Sequence, residues 1–360
     1  MSSPLPRKAP AILARRLRSV LRHGPGGERA AGHHNSNYVV RLGRPLALLL
    51  GNPRFGAHAK FRTPLPGAQV CPRAWPRESD ILGAVARHLP EVPRCLVDFG
   101  TSALHEYRPG RTLAAVAPYG PVGYELLQEF ADFFARVAGI PADDLPPLPG
   151  GWPASGDSTG FLRRLADWTE HRVRRPHRER FGALLDALGV PEDAMERVKL
   201  RHGALVPRPF CLLHTDVHRG NVILGDQDIA VIDWELALYG DPLHDLATHL
   251  VRMEYDDADR DQMVKLWAEA MHAAGRGELT EGLVDDLPAY LDLEYAQSVF
   301  ADVMRAALGL PGTPGDTELS AAAWRVCRAV GLAAGPLGLD AVPDVEQAMD
   351  ALRDWQASGR

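Results

Sequence analysis

Residues 211–235 of the chain read CLLHTDVHRGNVILGDQDIAVIDWE. Two short apolar runs in this segment, VIL and IAVI, flank the residues GDQD, whose glycine and aspartates favour a turn. The pattern predicts a β-hairpin centred near 226–227. With that centre, Asn221 and Asp233 lie opposite each other at the open end, with their Cα atoms about 5 Å apart. The hairpin would therefore bring together an amide oxygen and a carboxylate, both hard ligands that suit Mg²⁺.

A second carboxylate, that of Asp216, stands on the loop that leads into this hairpin. The loop can bring Asp216 close to Asn221, which follows it in the chain. One carboxylate for a metal, one for a hydroxyl proton and one amide are what a phosphoryl-transfer site needs. We expect His214 to support the loop through hydrogen bonds rather than to take part in the chemistry, and His218 has no clear assignment.

The order H-x-D-x-x-x-x-N, then a hairpin, then Asp resembles the catalytic core of the protein-kinase-like superfamily. Within it, I-D-W-E at 232–235 and G-D-P-x-x-D-L-A at 240–247 are typical of the aminoglycoside phosphotransferase family of antibiotic and small-molecule kinases. The resemblance implies an α+β, protein-kinase-like bilobal fold with a small antiparallel β-sheet N-lobe and a larger, mainly helical C-lobe. It also implies that Asp216 is catalytic and that Asn221 and Asp233 hold Mg²⁺.

The same resemblance implies a nucleotide site for ATP or GTP in the N-terminal half. A strand lysine should bind the nucleotide phosphates, and a helix glutamate should pair with it. Lys60 is the lysine of the β-rich region and Glu78 heads an apolar helical stripe, so we expect these two residues to form the pair. The segment LHEYRPGRTL, residues 104–113, resembles the interlobe linker of the family. Its residues Glu106 and Tyr107 are then expected beside the purine, which the linker backbone accepts.

The predicted N-lobe covers residues 1–107 and the predicted C-lobe residues 108–360. Along the N-lobe we expect an N-terminal helix in the first 23 residues, short antiparallel strands at 38–40, 46–50 and 57–61, a helix at about 75–89, and further strands in 95–107. The charge is divided in the same way, since residues 1–110 carry 17 Lys and Arg against 6 Asp and Glu, and the remainder carries 23 against 40. The boundary near residue 110 therefore predicts the cleft.

Composition limits the class of protein. The 360 residues are 46% hydrophobic and 24% charged, with a net charge of −6, which excludes a largely disordered or fibrous chain. Four widely spaced cysteines without a C-x-x-C pair favour a reducing cytoplasm. No apolar run approaches the length of about 18 residues that a bilayer needs, and no aromatic and basic motif indicates nucleic acid. We therefore expect a nucleotide and a small hydroxylated molecule as partners; the oligomeric state is not predicted.

The identity of the phosphoryl acceptor is left open by the sequence. Acidic clusters at 254–261 and 285–294 could hold a polyamine, so an aminoglycoside-like antibiotic is one candidate, with resistance by inactivation as the result. Macrolides, nucleoside antibiotics and hydroxylated primary metabolites are others. The main rival activity is a metal-dependent hydrolase that would use His214, Asp216, His218 and Asp233 as its metal site.

Overall fold

The structure of the chain is a computed structural model in which a six-stranded sheet precedes a larger helical region. It describes residues 7–8, 28–30, 35–42, 50, 58–64, 72–100, 102–225 and 228–359. The strands of the sheet are β1 (Arg7–Lys8), β2 (Glu28–Ala30), β3 (Asn35–Arg41), β4 (His58–Pro64), β5 (Cys95–Asp98) and β6 (Ala103–Glu106). Their order is β1-β5-β6-β4-β3-β2, with β1 parallel to β5 and the other neighbours antiparallel.

Side-chain alternation along β4 separates a core face from a cleft face. Ala59 and Phe61 are fully buried and pack in one cluster with Val97 and Leu104 of the adjacent strands. Because successive strand residues point to opposite faces, Lys60 lies on the other side of the sheet. Strand β4 thus carries both the small core of the sheet and a basic side chain that lines the cleft.

The predicted strands of the N-lobe agree with the structure wherever it describes them. Strands β3 and β4 pair directly, with Val39 opposite Lys60, and β5 and β6 form the two strands predicted in 95–107. The predicted strand at 46–50 lies outside the described residues apart from Leu50, which is in a turn. The predicted N-terminal helix also lies outside them, apart from the two residues of β1.

The first described helix, α1 (Glu78–His88), connects the sheet to the helical region. It begins later than the predicted Trp75–Pro76 because Arg77 still has an extended backbone, and it ends at His88, since Leu89 precedes a proline and is extended. Its apolar stripe is buried, and Leu82 and Val85 belong to the large core of the helical region rather than to the core of the sheet. The N-terminus of α1, with Glu78, is thereby held at the cleft.

The helical region forms most of the chain. Its helices, as far as the structure describes them, are α2 (Leu113–Val116), α3 (Tyr124–Ala138), α4 (Ser158–Thr169), α5 (Arg175–Ala187), α6 (Ala194–Arg201), α7 (Pro242–Met253), α8 (Asp257–Ala273), α9 (Leu283–Leu308), α10 (Asp316–Leu337) and α11 (Val345–Ala357). Antiparallel neighbours such as α9 and α10 bury their apolar stripes against each other. No helix in these described ranges is long and apolar enough to cross a membrane.

Short strands position the motif segment, residues 211–247, at the cleft. They are β7 (Arg111–Thr112), β8 (Cys211–Leu213), β9 (Val222–Leu224), β10 (Ile229–Val231) and β11 (Leu238–Gly240), arranged as β10-β9-β7 and β11-β8. The predicted hairpin is β9–β10, but its register differs by one residue: Leu224 pairs with Ile229, and the amide of Ile232 donates to the carbonyl of Asn221 at 2.9 Å. The prediction that Asp233 lies directly opposite Asn221 is therefore wrong. A four-residue connection between strands places the turn centre between two residues, which moves the partner of Asn221 to Ile232.

Candidate active site

A cavity of about 990 Å³ lies between the N-terminal sheet and the helical region. Each site residue predicted from the sequence contributes to its lining: Lys60, Glu78, Glu106, Tyr107, Asp216, Asn221 and Asp233. The lining also includes His105 of β6 and Trp234, which follows Asp233. Residues separated by more than 150 positions in the chain thus meet around one space.

Asp245 of α7 holds the loop that carries Asp216 through hydrogen bonds to its backbone. The carboxylate of Asp245 accepts hydrogen bonds from the amides of His214, at 2.8 Å, and Thr215, at 2.7 Å. Thr215 has a left-handed backbone, with φ 58°, so the chain turns sharply just before Asp216. Burial raises the pKa of Asp245 to about 7, although both amide hydrogen bonds act in the opposite direction. Asp245 therefore braces the loop that carries Asp216.

Two buried histidines support the same loop. His214 Nδ1 accepts from the amide of Asp216 at 3.2 Å, and its ring centroid lies 4.5 Å from that of Trp234. His249 donates from Nδ1 to the carbonyl of Val217 at 2.9 Å. Burial lowers the pKa of both imidazoles to about 4, so both rings are neutral near pH 7. His214 thus supports the loop, as expected from the sequence.

The Asp216 carboxylate is surrounded by hydrogen-bond donors. Asn221 Nδ2 donates to Asp216 Oδ2 at 2.8 Å and to the Asp216 carbonyl at 3.0 Å. Arg252, near the C-terminal end of α7, donates to Oδ1. His218 Nε2 lies 3.6 Å from the same oxygen, which gives this unassigned histidine a place in the site. Because Asn221 uses its NH₂ group on Asp216, its Oδ1 is the amide atom suited to a metal.

Asp233 ends the hairpin in an unusual backbone conformation. Its φ of 72° and ψ of 66° are left-handed, a costly geometry for a residue other than glycine. The turn leaves its carboxylate in the cavity lining, where Arg62 Nη2 donates to Oδ1 at 2.7 Å. Burial alone would raise the pKa of Asp233, but the cations Arg62 and Lys60 hold it well below its usual range. Asp233 is therefore ionised at neutral pH.

Glu78 has a different partner from the one predicted. Its Oε1 accepts from the amide of Trp234 at 2.9 Å, and its Oε2 forms an ion pair with Arg62. Arg62 also lies 3.0 Å from Glu235 Oε1, so one guanidinium joins three carboxylates. Lys60 lies in the same electrostatic field, and burial lowers the pKa of its ammonium while Asp233 opposes that shift.

Arg62 is the functional candidate that the sequence analysis missed. A signal was present, because Arg62 follows Lys60 by two positions on one strand and therefore shares its face of the sheet. Arg62 rather than Lys60 forms the ion pair with Glu78 because α1 and the Trp234 turn place their carboxylates around this second basic side chain.

The linker residues lie at the sheet end of the cavity. Glu106 is buried, and its Oε1 accepts from Arg94 Nε at 3.0 Å, so this carboxylate already has a cationic partner. Tyr107 packs edge-on against His58, with 6.1 Å between the ring centroids. The expected place of Glu106 and Tyr107 beside a purine stays a prediction.

A family model described as the phosphotransferase enzyme family, APH, matches residues 28–280. The chain belongs to this family. Membership makes the protein an enzyme, a small-molecule kinase that transfers a phosphoryl group to a hydroxyl acceptor, as predicted. The match spans most of the N-terminal sheet and the whole motif segment. No curated protein is similar enough in sequence to match.

Solved structures share the fold of this phosphotransferase. A putative aminoglycoside phosphotransferase from Ralstonia eutropha is 16% identical, with a TM-score of 0.54 over 97% of this chain and 99% of the other. The ethanolamine kinase of Plasmodium vivax is 12% identical, with a TM-score of 0.53 over 87% and 85%. A thermostable mutant of the aminoglycoside phosphotransferase APH(4)-Ia, in a ternary complex with ADP and hygromycin B, is 16% identical, with a TM-score of 0.50 over 89% and 97%. The kinase-like α+β fold is thereby confirmed.

Membership of a phosphotransferase family also contradicts the rival prediction of a metal-dependent hydrolase. The buried ring of His214 packs against Trp234, and its Nδ1 accepts from the amide of Asp216, so this nitrogen already has a backbone partner. In the part of the chain that the structure describes, no group of three or more His, Cys, Asp and Glu side chains is arranged to hold a metal. The hydrolase prediction is therefore wrong.

The far side of the cavity is formed by α7, α9 and α10, and we call it the helical wall. Its charged side chains are Arg252, Glu254, Glu294, Asp302, Arg305 and Arg328. Four members of the predicted acidic clusters have structural partners elsewhere: Asp256 caps α8, Asp259 accepts from the amide of Val122, Asp286 pairs with buried Arg208, and Asp292 pairs with Arg201. The helical wall is therefore mixed in charge rather than acidic.

Proposed function

We propose that the protein transfers the γ-phosphoryl group of ATP or GTP to a hydroxyl group of a small molecule in a Mg²⁺-dependent reaction. The observation that carries this proposal is the meeting of Asp216, Asn221 and Asp233 with Lys60 around one cavity. Carboxylate, amide and ammonium groups in that arrangement supply a base, metal ligands and a phosphate contact. The cytoplasm, where nucleotide is abundant, is the compartment that we propose.

The residues present fit a magnesium ion. Asn221 and Asp233 offer oxygen ligands, and the Asp233 carboxylate already has a cation, Arg62, at hydrogen-bond distance. When bound, Mg²⁺ would neutralise negative charge on the nucleotide phosphates. Asp233 stays ionised because of its basic neighbours, which keeps the carboxylate in the form that a metal requires.

Each remaining group of the chain has a role in the transfer. Asp216 Oδ1 orients the acceptor hydroxyl and takes its proton, while Asn221 holds the other carboxylate oxygen in place. Lys60 binds the nucleotide phosphates from the cleft face of β4. The backbone at Glu106 and Tyr107 holds the base, and we propose that the N-lobe comprises residues 1–107 and the C-lobe residues 108–360.

An antibiotic is the first acceptor class to test, with inactivation of the drug as the physiological result. The family resemblance supports aminoglycoside-like, macrolide and nucleoside compounds alike. The mixed charge of the helical wall gives a polyamine less support than the sequence clusters implied, because Asp259, Asp286 and Asp292 are paired elsewhere. Hydroxylated primary metabolites belong in the same test.

The experiment incubates the protein with Mg²⁺, ATP or GTP, and a panel of hydroxylated antibiotics and metabolites. Mass spectrometry then detects an added phosphoryl group, and Asp216→Asn is the matched control. If the unaltered protein phosphorylates an antibiotic and Asp216→Asn does not, the full proposal is supported. Phosphorylation of metabolites alone would move the assignment to metabolism, and turnover that survives in Asp216→Asn would overturn the assigned mechanism.

A further inference from the structure

The two oxygens of Asp216 are not equivalent. Oδ2 accepts from Asn221 at 2.8 Å, so Oδ1 is the oxygen that can receive an acceptor hydroxyl. That same Oδ1 accepts from Arg252 and has His218 Nε2 at 3.6 Å. Any group attached next to the reacting hydroxyl must therefore lie beside a guanidinium and an imidazole.

Two more arginines extend this basic surface along the helical wall. Arg305 of α9 contacts Asp302 through Nη1 at 3.3 Å, and Arg328 of α10 contacts Glu254 through Nη1 at 2.9 Å. Each guanidinium carries five N–H donors in a planar fork, so a single ion pair uses only part of its hydrogen-bonding capacity. Both side chains line the cavity and can donate into it.

The acids of the wall are poorly placed to hold an ammonium group. Glu254 and Asp302 each pair with an arginine of the wall. Glu294 is buried, accepts from Gln297, and lies 3.7 Å from His244 Nδ1. Burial also raises the pKa of Glu294, which disfavours its charged form. The surface nearest to Asp216 thus offers donors and positive charge.

We propose that the acceptor carries an anionic group, a carboxylate or a phosphate, beside the reacting hydroxyl, and that Arg252 binds this group. The inference rests on the proposed function. Without acceptor, Arg252 pairs with Asp216; with acceptor, its guanidinium turns to the incoming anion, and Asp216 Oδ1 receives the hydroxyl. One carboxylate partner replaces another, so the charge around Arg252 stays balanced.

The transfer itself is unchanged by this exchange. A bond forms between the acceptor oxygen and the γ-phosphorus, the bond to the leaving nucleoside diphosphate breaks, and the hydroxyl proton moves to Asp216. An amine beside the hydroxyl would instead meet Arg252 with like charge, which excludes it by electrostatic repulsion.

The test compares four small acceptors that share a three-carbon scaffold: glycerol, glycerate, glycerol 3-phosphate and 3-aminopropane-1,2-diol. Release of nucleoside diphosphate gives kcat/KM for each at saturating Mg²⁺-nucleotide. We expect kcat/KM for glycerate or glycerol 3-phosphate to exceed that for 3-aminopropane-1,2-diol by at least about tenfold. Comparison of glycerate with glycerol 3-phosphate separates carboxylate from phosphate recognition.

Variants of Arg252 show whether this residue sets the preference. In Arg252→Gln we expect the ratio of anionic to amine acceptor to fall roughly tenfold to a hundredfold, with partial recovery in Arg252→Lys, while the surface control Arg353→Gln keeps the original ratio. A uniform decrease for all four compounds would indicate a merely structural role and overturn the inference.

Nucleotide binding separates this inference from the proposed function. Stabilisation of the protein by Mg²⁺-ADP against heat reports on the kinase site alone. If Mg²⁺-ADP stabilises the protein but the amine is preferred, or the four compounds do not differ, the inference is overturned and the kinase assignment stands. If Mg²⁺-ADP has no effect and Asp216→Asn equals the unaltered protein, the proposed function itself fails.

Discussion

Arg62 Nη2 donates a hydrogen bond to Asp233 Oδ1 at 2.7 Å and thereby links β4 to the end of the hairpin. The same guanidinium pairs with Glu78 of α1 and lies 3.0 Å from Glu235. Its side chain is only 6% exposed, so this ion cluster is shielded from solvent. Arg62 therefore pairs with the carboxylate that the proposed Mg²⁺ requires. The effect of Mg²⁺ on stability should then depend on whether Arg62 is present.

Removal of this cation should destabilise the protein. Arg62→Met would leave three neighbouring carboxylates without the guanidinium, and breaking a buried ion pair by deleting one partner costs about 3–5 kcal/mol. Urea denaturation measures this free energy of unfolding. Mg²⁺ should recover more stability in Arg62→Met than in the unaltered protein, because a divalent ion can neutralise Asp233. The surface change Arg353→Met is the control, and an equal free energy in both variants would refute the role of Arg62.

Lys60 should affect nucleotide binding more than folding. Lys60→Met removes an ammonium that faces the cavity, and a hydrogen bond to a charged group contributes about 1.5–3 kcal/mol, so we expect KM for the nucleotide to rise roughly tenfold to a hundredfold. Lys265 on α8 is exposed and far from the motif segment, which makes Lys265→Met the matched control. Equal KM values for the two variants would show that Lys60 does not contact the phosphates.

The motif segment was predictable from sequence because its geometry is local. Asp216, Asn221 and Asp233 lie within one loop and one hairpin, so spacing alone could bring them together. The register was wrong by one residue, since a turn centre inferred from composition is only good to about one position. The left-handed turn at Asp233 then compensates, because it leaves the carboxylate in the cavity lining although Ile232 is the residue opposite Asn221.

Long-range contacts could not be predicted from the sequence. Whether Glu78 pairs with Lys60 or Arg62 depends on how α1 docks against β4 and the Trp234 turn, and no local pattern specifies that docking. The acidic clusters were over-interpreted for the same reason: Asp286 and Asp292 have basic partners more than 70 positions away. Charge along the chain therefore did not reveal the chemistry of the helical wall.

Asp216 and Asp233 should have separable effects on the reaction. Asp216→Asn keeps the shape of the side chain but removes the base, so we expect kcat to fall by about 10²–10⁴ while Mg²⁺-ADP still binds. Asp233→Ala removes a metal ligand, so we expect Mg²⁺-ADP binding itself to weaken. Calorimetric titration with Mg²⁺-ADP and single-turnover kinetics distinguish the two. Loss of nucleotide binding in Asp216→Asn with full binding in Asp233→Ala would reverse the assigned roles.

Four buried histidines should make the fold sensitive to mild acid. Burial lowers the pKa of His105 and His244 to about 3 and that of His214 and His249 to about 4, whereas an unfolded chain has histidine pKa values of about 6.5. As pH falls from 7 to 5, the unfolded chain takes up protons on these residues and the folded protein does not, so the free energy of unfolding decreases. Carboxyl groups whose pKa burial raises act in the opposite direction, among them Asp245, with a pKa of about 7, and Glu294.

The slope of stability against pH tests this balance at one residue. Each such histidine contributes at most about 1.4 kcal/mol per pH unit, so His249→Gln should flatten the dependence between pH 7 and 5 by about 0.9 kcal/mol per pH unit on average. Urea denaturation at pH 7, 6 and 5 gives the slope, which is independent of the constant loss caused by removing the contact with Val217. His171, on the exposed π-helical turn Glu170–Arg174, provides the control His171→Gln. A slope unchanged in His249→Gln would mean that His249 takes up its proton equally in the folded and unfolded chain.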